Sequence, residues 1–226
     1  ESQSSLLDLF FSERLINVSN LVTDPDFPIP PRSGSLESGL QRLRRDSNAF
    51  VDLSVVDGHG VLVAYAGPYP SLVGRDYGQQ QWYRKLIEQE RDYILSDLYL
   101  GFRRAPHLTI AVKRHVADGV YVLRATLDPS GIREYLDVSW TSPEIRVRIV
   151  NRQGEEQLLG SLGEDPLDDS PFLPPSSPRE GIEEIPSGEA RVTAAYTWLR
   201  TADWAVVASL TPLGAGSLPG LRFSVL

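Results

Sequence analysis

Two adjacent aromatic residues, Trp82 and Tyr83, lie in a short run of helical character, and three strand-like segments follow them. Rings of this kind form the walls of small-molecule pockets or hold a cation over a ring face, but they also fill hydrophobic cores. The last strand-like segment ends at Asp128, next to Pro129. Its carboxylate either holds a ligand amine or caps the helix that the proline begins, and the sequence leaves both roles open.

Other charged residues lie near these rings in the sequence. Asp97 precedes Tyr99 in a predicted strand, where it either enters a pocket or faces solvent. Arg75 precedes the aromatic helix and Arg124 belongs to the last strand, so either guanidinium is a candidate for binding an anion. The loop pair Arg103–Arg104 is a weaker candidate, because most arginines in loops are simply solvated. Together these residues predict a pocket between a short helix and a curved sheet.

Several kinds of chemistry lack support in the sequence. The chain has no cysteine, which excludes a thiolate metal site, a cysteine nucleophile and a disulfide scaffold. Its histidines, His59, His107 and His115, are not spaced to bind one metal ion together. A glycine-rich phosphate loop and a nucleophile elbow are both missing. We therefore predict no catalytic residue, no metal site and no cofactor, and a hydrolase is a distant alternative.

Charge and hydrophobicity narrow the range of partners. The 226 residues carry a net charge of -8, and 41% of them are hydrophobic. An acidic chain of this kind is not expected to bind nucleic acid or an anionic membrane surface. No uninterrupted apolar run is long enough to span a bilayer, and the first residue is Glu1. We interpret the chain as an excised piece of a longer protein.

The predicted elements start with a long helix over residues 1–24. Its apolar residues are spaced by three and four positions, which gives one apolar stripe: Leu7, Phe11, Leu15, Val18 and Val22. This helix is either a stalk that continues from a preceding segment or a helix that packs on a core. A proline-rich loop follows, and Ser35 is the predicted N-cap of a second short helix.

The remaining pattern consists of strands joined by tight turns. In the first half, strands are predicted at 50–56, 61–66, 93–100, 108–113 and 120–127, with the aromatic helix near 79–89. In the second half, strands are predicted at 144–151, 190–200 and 204–210, with a long loop at 160–178. Turns this short join antiparallel strands, so the order of elements predicts an α+β fold with antiparallel sheets.

Several runs of residues resemble one family. DYGQQQWYRK, SDLYLG, PHLTIAVKR and LRATLD resemble the membrane-distal half of a double Cache (dCache) sensor domain. IVNRQG and LRTADWAVVASLTP resemble its membrane-proximal half. Together with the leading helix, the resemblance extends over nearly the whole chain. The variant here is most similar to the domains of bacterial sensor histidine kinases.

The resemblance implies a long N-terminal helix with two stacked PAS-like antiparallel-sheet lobes. It implies a stalk helix and loop at residues 1–30, a membrane-distal lobe at 31–127 and a membrane-proximal lobe at 128–226. Such domains lie on the periplasmic or extracellular side of the bacterial inner membrane, anchored through flanking membrane helices. They bind a small molecule in the distal lobe, and the full-length proteins form homodimers. A chemoreceptor or a cyclic-di-nucleotide enzyme is an alternative parent protein, and a non-sensing structural or protein-interaction module is a further alternative.

The resemblance also indicates where this chain departs from some members of the family. Members that bind free amino acids carry an arginine two residues before the Trp-Tyr pair, where this chain has Gln80. An amide cannot replace the charge of a guanidinium that grips a carboxylate. We therefore do not expect the usual mode of α-amino-acid binding, although Trp82, Tyr83 and Asp128 match the pattern. Asp97 and Asp128 favour an amine as the ligand, and a small carboxylate held by Arg75 or Arg124 is the competing hypothesis.

Overall fold

A computed structural model of the chain describes residues 3–32, 34–89, 91–132, 145–157, 172–187 and 190–210. These residues contain the α-helices α1 (Gln3–Thr23), α2 (Ser35–Asp46) and α3 (Gln81–Glu88). Residues 129–132 are also helical. None of the helices in this part of the chain is both long enough and apolar enough to cross a membrane. The predicted leading helix is present as α1.

The described strands form two sheets in which every pair of neighbours is antiparallel. The first sheet has the order β2-β1-β5-β4-β3 and is built from β1 (Phe50–Asp57), β2 (Leu62–Ala66), β3 (Tyr93–Leu95), β4 (Leu108–Val116) and β5 (Gly119–Leu127). The second sheet has the order β6-β9-β8-β7 and is built from β6 (Ile145–Asn151), β7 (Glu180–Ser187), β8 (Ala190–Trp198) and β9 (Trp204–Leu210). The predicted α+β class with antiparallel sheets is confirmed.

The chain divides into two compact units. The first unit is Phe10–Glu134, and the second unit joins Glu1–Leu9 to Tyr135–Leu226. In the second unit, the carboxylate of Asp8 on α1 accepts hydrogen bonds from the backbone N–H groups of Arg200 and Thr201 at 2.7 and 3.0 Å. The hydroxyl of Thr201 also donates to Asp8, at 2.8 Å. The start of α1 is thereby joined to the turn between β8 and β9.

Strand β7 and the cap of helix α2 differ from the prediction. Strand β7 was not predicted, because its sequence is charged and contains Pro186, and it lies at the edge of its sheet where proline is tolerated. Helix α2 is preceded by Gly34 as its N-cap, so the predicted capping role of Ser35 is wrong. The Ser35 hydroxyl instead donates to the carbonyl of Arg32 at 2.7 Å. Most of the predicted loop 160–178 lies outside the described residues.

Strand β3 is shorter than predicted, and the reason lies in Ser96. Its Oγ accepts the backbone N–H of Thr109 at 2.9 Å, a bond that a strand carbonyl would otherwise accept. Regular pairing therefore stops at Leu95, and it resumes as a single bridge between Tyr99 and His107. The bridge brings the rings of these two residues to 4.3 Å between centroids.

One face of the first sheet packs on helices. Side chains that alternate along a strand lie on opposite faces, and residues paired across strands share a face. Leu53 of β1 shares its face with Ala125 of β5 and Ile110 of β4. A β-carbon at Gly39 of α2 would lie within 3.1 Å of side-chain atoms of both Leu53 and Leu21. Helices α1 and α2 therefore cover this face in the first unit.

The opposite face of the first sheet is polar at its centre and apolar around it. Ser54 of β1 is paired with Arg124 of β5, which is paired in turn with Ala111 of β4. Helix α3 and the loop before it cover this face, and a cluster of buried apolar residues surrounds the polar centre: Val56, Leu62, Leu72, Tyr77, Trp82, Tyr83, Leu86, Ile94, Ala111 and Val122. Both faces of this sheet are therefore buried.

Candidate functional site

The loop before α3 is held against the turn that joins β1 to β2. The backbone N–H of Tyr77 donates to the carbonyl of Gly60 at 2.7 Å, and Leu62 donates to Arg75 at 3.0 Å. Gly60 has a φ of 87°, and a β-carbon there would lie 2.8 Å from the Cα of Gly78. Only glycine permits this approach without strain. The approach fixes the position from which Tyr77 reaches the sheet.

Asp52 lies at the centre of the candidate site and is 0% exposed. Its Oδ2 forms an ion pair with Arg103 and accepts a 2.8 Å hydrogen bond from the hydroxyl of Tyr65. Its Oδ1 lies 3.8 Å from Nη1 of Arg124, a distance too long for a hydrogen bond. Asp52, Arg103 and Arg124 are called the charge cluster below.

Arg124 extends from β5 beneath the aromatic residues and is 1% exposed. Its guanidinium carbon lies 5.2 Å from the ring centroid of Tyr77 and 5.8 Å from that of Trp82, within the range of cation–π attraction. Nη2 lies 3.4 Å from both the Tyr99 hydroxyl and Nε2 of His107. Both of these hydrogen bonds are long, so each acceptor binds Arg124 only weakly.

Arg103 enters the site from the short 3₁₀ helix Gly101–Arg103. Besides its ion pair with Asp52, its Nη2 donates a 2.6 Å hydrogen bond to the Thr126 hydroxyl on β5. The side chain is 3% exposed, although the residue lies in a connection between strands. The charge cluster thus anchors this connection to the sheet.

His107, Tyr65 and Tyr77 are neutral near pH 7. Burial lowers the pKa of His107 to about 4, since an imidazolium would lose its hydration there. Nδ1 lies 2.8 Å from the carbonyl of Ala105, which only accepts, so Nδ1 carries the proton and Nε2 accepts from Arg124. Burial raises the pKa of both Tyr65 and Tyr77, which keeps their hydroxyls protonated.

Arg124 remains charged. Burial alone would lower its pKa, but the neighbouring Tyr99 and Asp52 reverse this effect, so that its pKa lies above the ordinary value. The site therefore combines a permanent cation with neutral hydroxyl and imidazole groups under aromatic rings. Such an arrangement suits the binding of a small molecule.

The structure brings three of the predicted site residues together. Trp82 and Tyr99 both contact the guanidinium of Arg124. Tyr83 packs with its ring edge-on to Trp82, but its hydroxyl donates to the carbonyl of Asp57 at 2.9 Å, away from the charge cluster. The burial of Tyr83 raises its pKa.

The other predicted site residues lie at the rim or elsewhere. Gln80 directly precedes α3 and is half-buried, and Asp97 is half-buried in the segment after β3. Arg75 is exposed, with its guanidinium 5.8 Å from the ring of Phe102. Asp128 is exposed, and its Oδ1 accepts the backbone N–H of Ser130 at 2.8 Å, which is a capping contact. A ligand-binding role for these four residues stays a prediction.

The prediction from sequence omitted several residues of this site. Asp52 and Ser54 alternate within an otherwise apolar strand, FVDLSVV, and this polar alternation was the signal that could have pointed to them. His107 was weighed only as a metal ligand. In the described residues no group of three histidine, aspartate or glutamate side chains could hold a metal ion.

No family model matches this chain, and no curated protein matches it in sequence. Solved structures do match. An extracellular ligand-binding receptor from Desulfohalobium retbaense matches 92% of this chain with a TM-score of 0.72 at 14% identity. This chain spans 38% of the length of that receptor.

Two further structures match along most of their own length. The extracellular domain of rpHK1S-Z16, a protein named as a histidine kinase, has a TM-score of 0.70 at 14% identity, with 92% of this chain and 90% of that chain covered. The ligand-binding domain of the Pseudomonas fluorescens chemoreceptor CtaA, in complex with L-isoleucine, has a TM-score of 0.64 at 18% identity, with 92% and 87% covered. The chain therefore has the fold of extracellular ligand-binding domains of such receptors, and the double-Cache-like fold expected from the sequence is confirmed.

Proposed function

We propose that this chain is the extracytoplasmic sensing domain of a transmembrane signalling protein. The single observation that carries the proposal is the charged residue Arg124 buried under Tyr77 and Trp82, in a fold whose other members include ligand-binding domains. A pocket with aromatic walls and a few convergent polar groups is the usual form of a small-molecule site.

The proposed site lies in the first unit, Phe10–Glu134. We propose that this unit corresponds to the membrane-distal lobe and the second unit to the membrane-proximal lobe. The predicted boundaries, with a stalk at 1–30 and lobes at 31–127 and 128–226, remain part of this proposal. So does the location of the domain outside the inner membrane, with flanking helices that anchor the parent protein.

The parent protein is proposed to be a sensor histidine kinase that works as a homodimer. The similarity to the extracellular domain of rpHK1S-Z16 supports this choice, and the similarity to CtaA supports a chemoreceptor equally well. A cyclic-di-nucleotide enzyme is the third alternative. The output domain encoded after this segment in the parent gene distinguishes the three.

The mechanism would be a shift between conformations rather than a reaction. A ligand can move such an equilibrium only by as much as its affinities for the two conformations differ. Arg103 connects the site to the segment between β3 and β4, so a ligand that changes its contacts would reposition that segment. We propose this repositioning as the first step of signalling.

A thermal-shift screen of amines, amino acids and carboxylates tests the proposal. A compound at a hundred times its dissociation constant is expected to stabilise the folded domain by about 2.7 kcal/mol. The Arg84→Gln variant is a matched control, because Arg84 pairs with Glu88 on the exposed side of α3. A hit should stabilise the wild type and Arg84→Gln equally, and it should stabilise Trp82→Phe less.

One observation favours a second candidate, a structural module without a ligand. Tyr77 and Trp82 are only 2% and 3% exposed, so the rings are packed among the protein's own side chains. If no compound of any class shifts the unfolding of a cooperatively folded domain, this second candidate replaces the sensing proposal.

A further inference from the structure

The charge cluster has more positive than negative charge. Arg103 and Arg124 contribute two positive charges. Among the described residues, Asp52 supplies the one carboxylate within ion-pair distance of them. His107 is neutral near pH 7, so it adds no charge to the cluster. A buried charge without a partner is costly, because the protein interior solvates it far less well than water does.

Among the buried polar atoms of the site that have no hydrogen-bond partner in the described part of the chain, donors also outnumber acceptors. Four of its buried polar atoms have no hydrogen-bond partner among the described residues. Three of them are donors and one is an acceptor: Nε of Arg103, Nε of Arg124, Nε1 of Trp82 and Oδ1 of Asp52. A guest that accepts more hydrogen bonds than it donates would therefore complement the site.

From this excess of charge and of donors, we infer that the site binds a small organic carboxylate, with Arg124 and Arg103 as its cationic contacts. The inference rests on the proposed function and deepens it by naming the ligand class. A carboxylate supplies one negative charge and acceptor oxygens that can bind a guanidinium in two places. Arg103 is only a weak candidate in the sequence, and its buried ion pair with Asp52 is what places it in the site.

An ammonium group fits the same site poorly. The carboxylate that it would reach, Asp52, already binds Arg103 and Tyr65, so the ammonium would lie next to two guanidinium groups. The rings that could hold a cation, Tyr77 and Trp82, already face the guanidinium of Arg124. Asp128, the predicted partner of an amine, is exposed and caps its own turn.

Binding of the carboxylate has a structural consequence. Arg124 is covered, so the ligand reaches it only when the surrounding side chains move. Arg103 lies on the Gly101–Arg103 segment, and a carboxylate that binds this arginine competes with Asp52 for it. Ligand binding is thereby coupled to the position of the segment, which links the inference to the proposed signalling step.

Calorimetric titration with matched probes tests the inference. Short aliphatic monocarboxylates from propanoate to hexanoate, succinate, glutarate and benzoate are each compared with the primary amide and the amine of the same skeleton. At least one carboxylate is expected to bind, with its amide about tenfold weaker or more, because the amide lacks the charge. Preference for amines, or equal affinity for acid and amide, overturns the inference but leaves the sensing proposal standing.

Three variants test the assignment of the contacts. Arg124→Gln and Arg103→Gln are each expected to weaken carboxylate binding about tenfold or more, whereas Arg84→Gln leaves it unchanged. Asp52→Asn removes the competing carboxylate and should bind the probe at least as tightly as the wild type. If Arg124→Gln or Asp52→Asn does not fold, judged by circular dichroism, Arg103→Gln decides. Unchanged affinity in Arg103→Gln overturns the inference, and failure of every compound class to bind counts against the sensing proposal itself.

Discussion

Nε2 of His107 lies 3.4 Å from a guanidinium nitrogen of Arg124, and because Nδ1 carries the proton, this contact exists only while the imidazole is neutral. Protonation of His107 would place two cations side by side in the interior. The contact therefore ties the stability of the site to pH.

We expect the domain to lose stability between pH 6.5 and about 4. The pKa of His107 falls from 6.5 to about 4 on folding, so in this window the unfolded chain binds a proton that the folded chain does not. Stability from this group is complete above pH 6.5 and declines as the pH falls, by up to about 3 kcal/mol.

Urea unfolding at pH 7.5 and pH 5 measures this effect. In His107→Gln the part of the pH dependence that comes from this group should disappear. His115→Gln is the matched control, because His115 is exposed on β4, the strand that His107 directly precedes, and it should behave as the wild type. An equal pH dependence in His107→Gln and the wild type would contradict the prediction.

Asp52→Asn is expected to destabilise the unliganded domain by about 3–5 kcal/mol, because it leaves two buried guanidinium groups without a counter-charge. Chemical denaturation measures the loss. Glu88→Gln is the control: it breaks an exposed pair with Arg84 and should change stability by no more than about 0.5 kcal/mol. Similar values for the two variants would show that the charge cluster contributes little to folding.

Gly60→Ala is expected to be more destabilising than Gly74→Ala. Both glycines have a positive φ, 87° and 83°, so each substitution carries a similar backbone penalty of roughly 1–2 kcal/mol. A β-carbon at Gly60 would also collide with the backbone of Gly78, whereas Gly74 has open space. Thermal unfolding of the two variants isolates the cost of the close approach, and equal losses would argue against it.

Asp8→Ala is expected to weaken the second unit by about 1–3 kcal/mol, because it leaves the backbone N–H groups of Arg200 and Thr201 without their acceptor. Hydrogen–deuterium exchange across the turn between β8 and β9 should become faster. Glu13→Ala, at an exposed position of the same helix, is the control and should leave this exchange unchanged. Unchanged exchange in Asp8→Ala would mean that these bonds do not hold the turn.

Much of the fold follows from local patterns in the sequence. The turns between β1 and β2 and between β4 and β5 are short and polar. The apolar runs on either side predict the bounds of the strands to within a few residues. Strand β7 escaped prediction because Ile182 and Ile185 are separated by charged residues, and Ile182 is 52% exposed at the sheet edge. Its pairing with β8, rather than its composition, makes it a strand.

The sequence by itself determined the α+β class, the antiparallel sheets and the aromatic residues near the site, since periodicity and turn chemistry act over a few neighbouring residues. Only the tertiary structure decided that Asp52, Arg103 and Arg124 meet. Strand register places Asp52 and Arg124 on one sheet face, and the Gly101–Arg103 segment brings Arg103 to them. Asp52 lies far from Arg103 and Arg124 along the chain, so no local pattern could pair these charges. Because these charges are buried, they interact strongly with one another, whereas the same charges on a surface would be solvated and nearly independent.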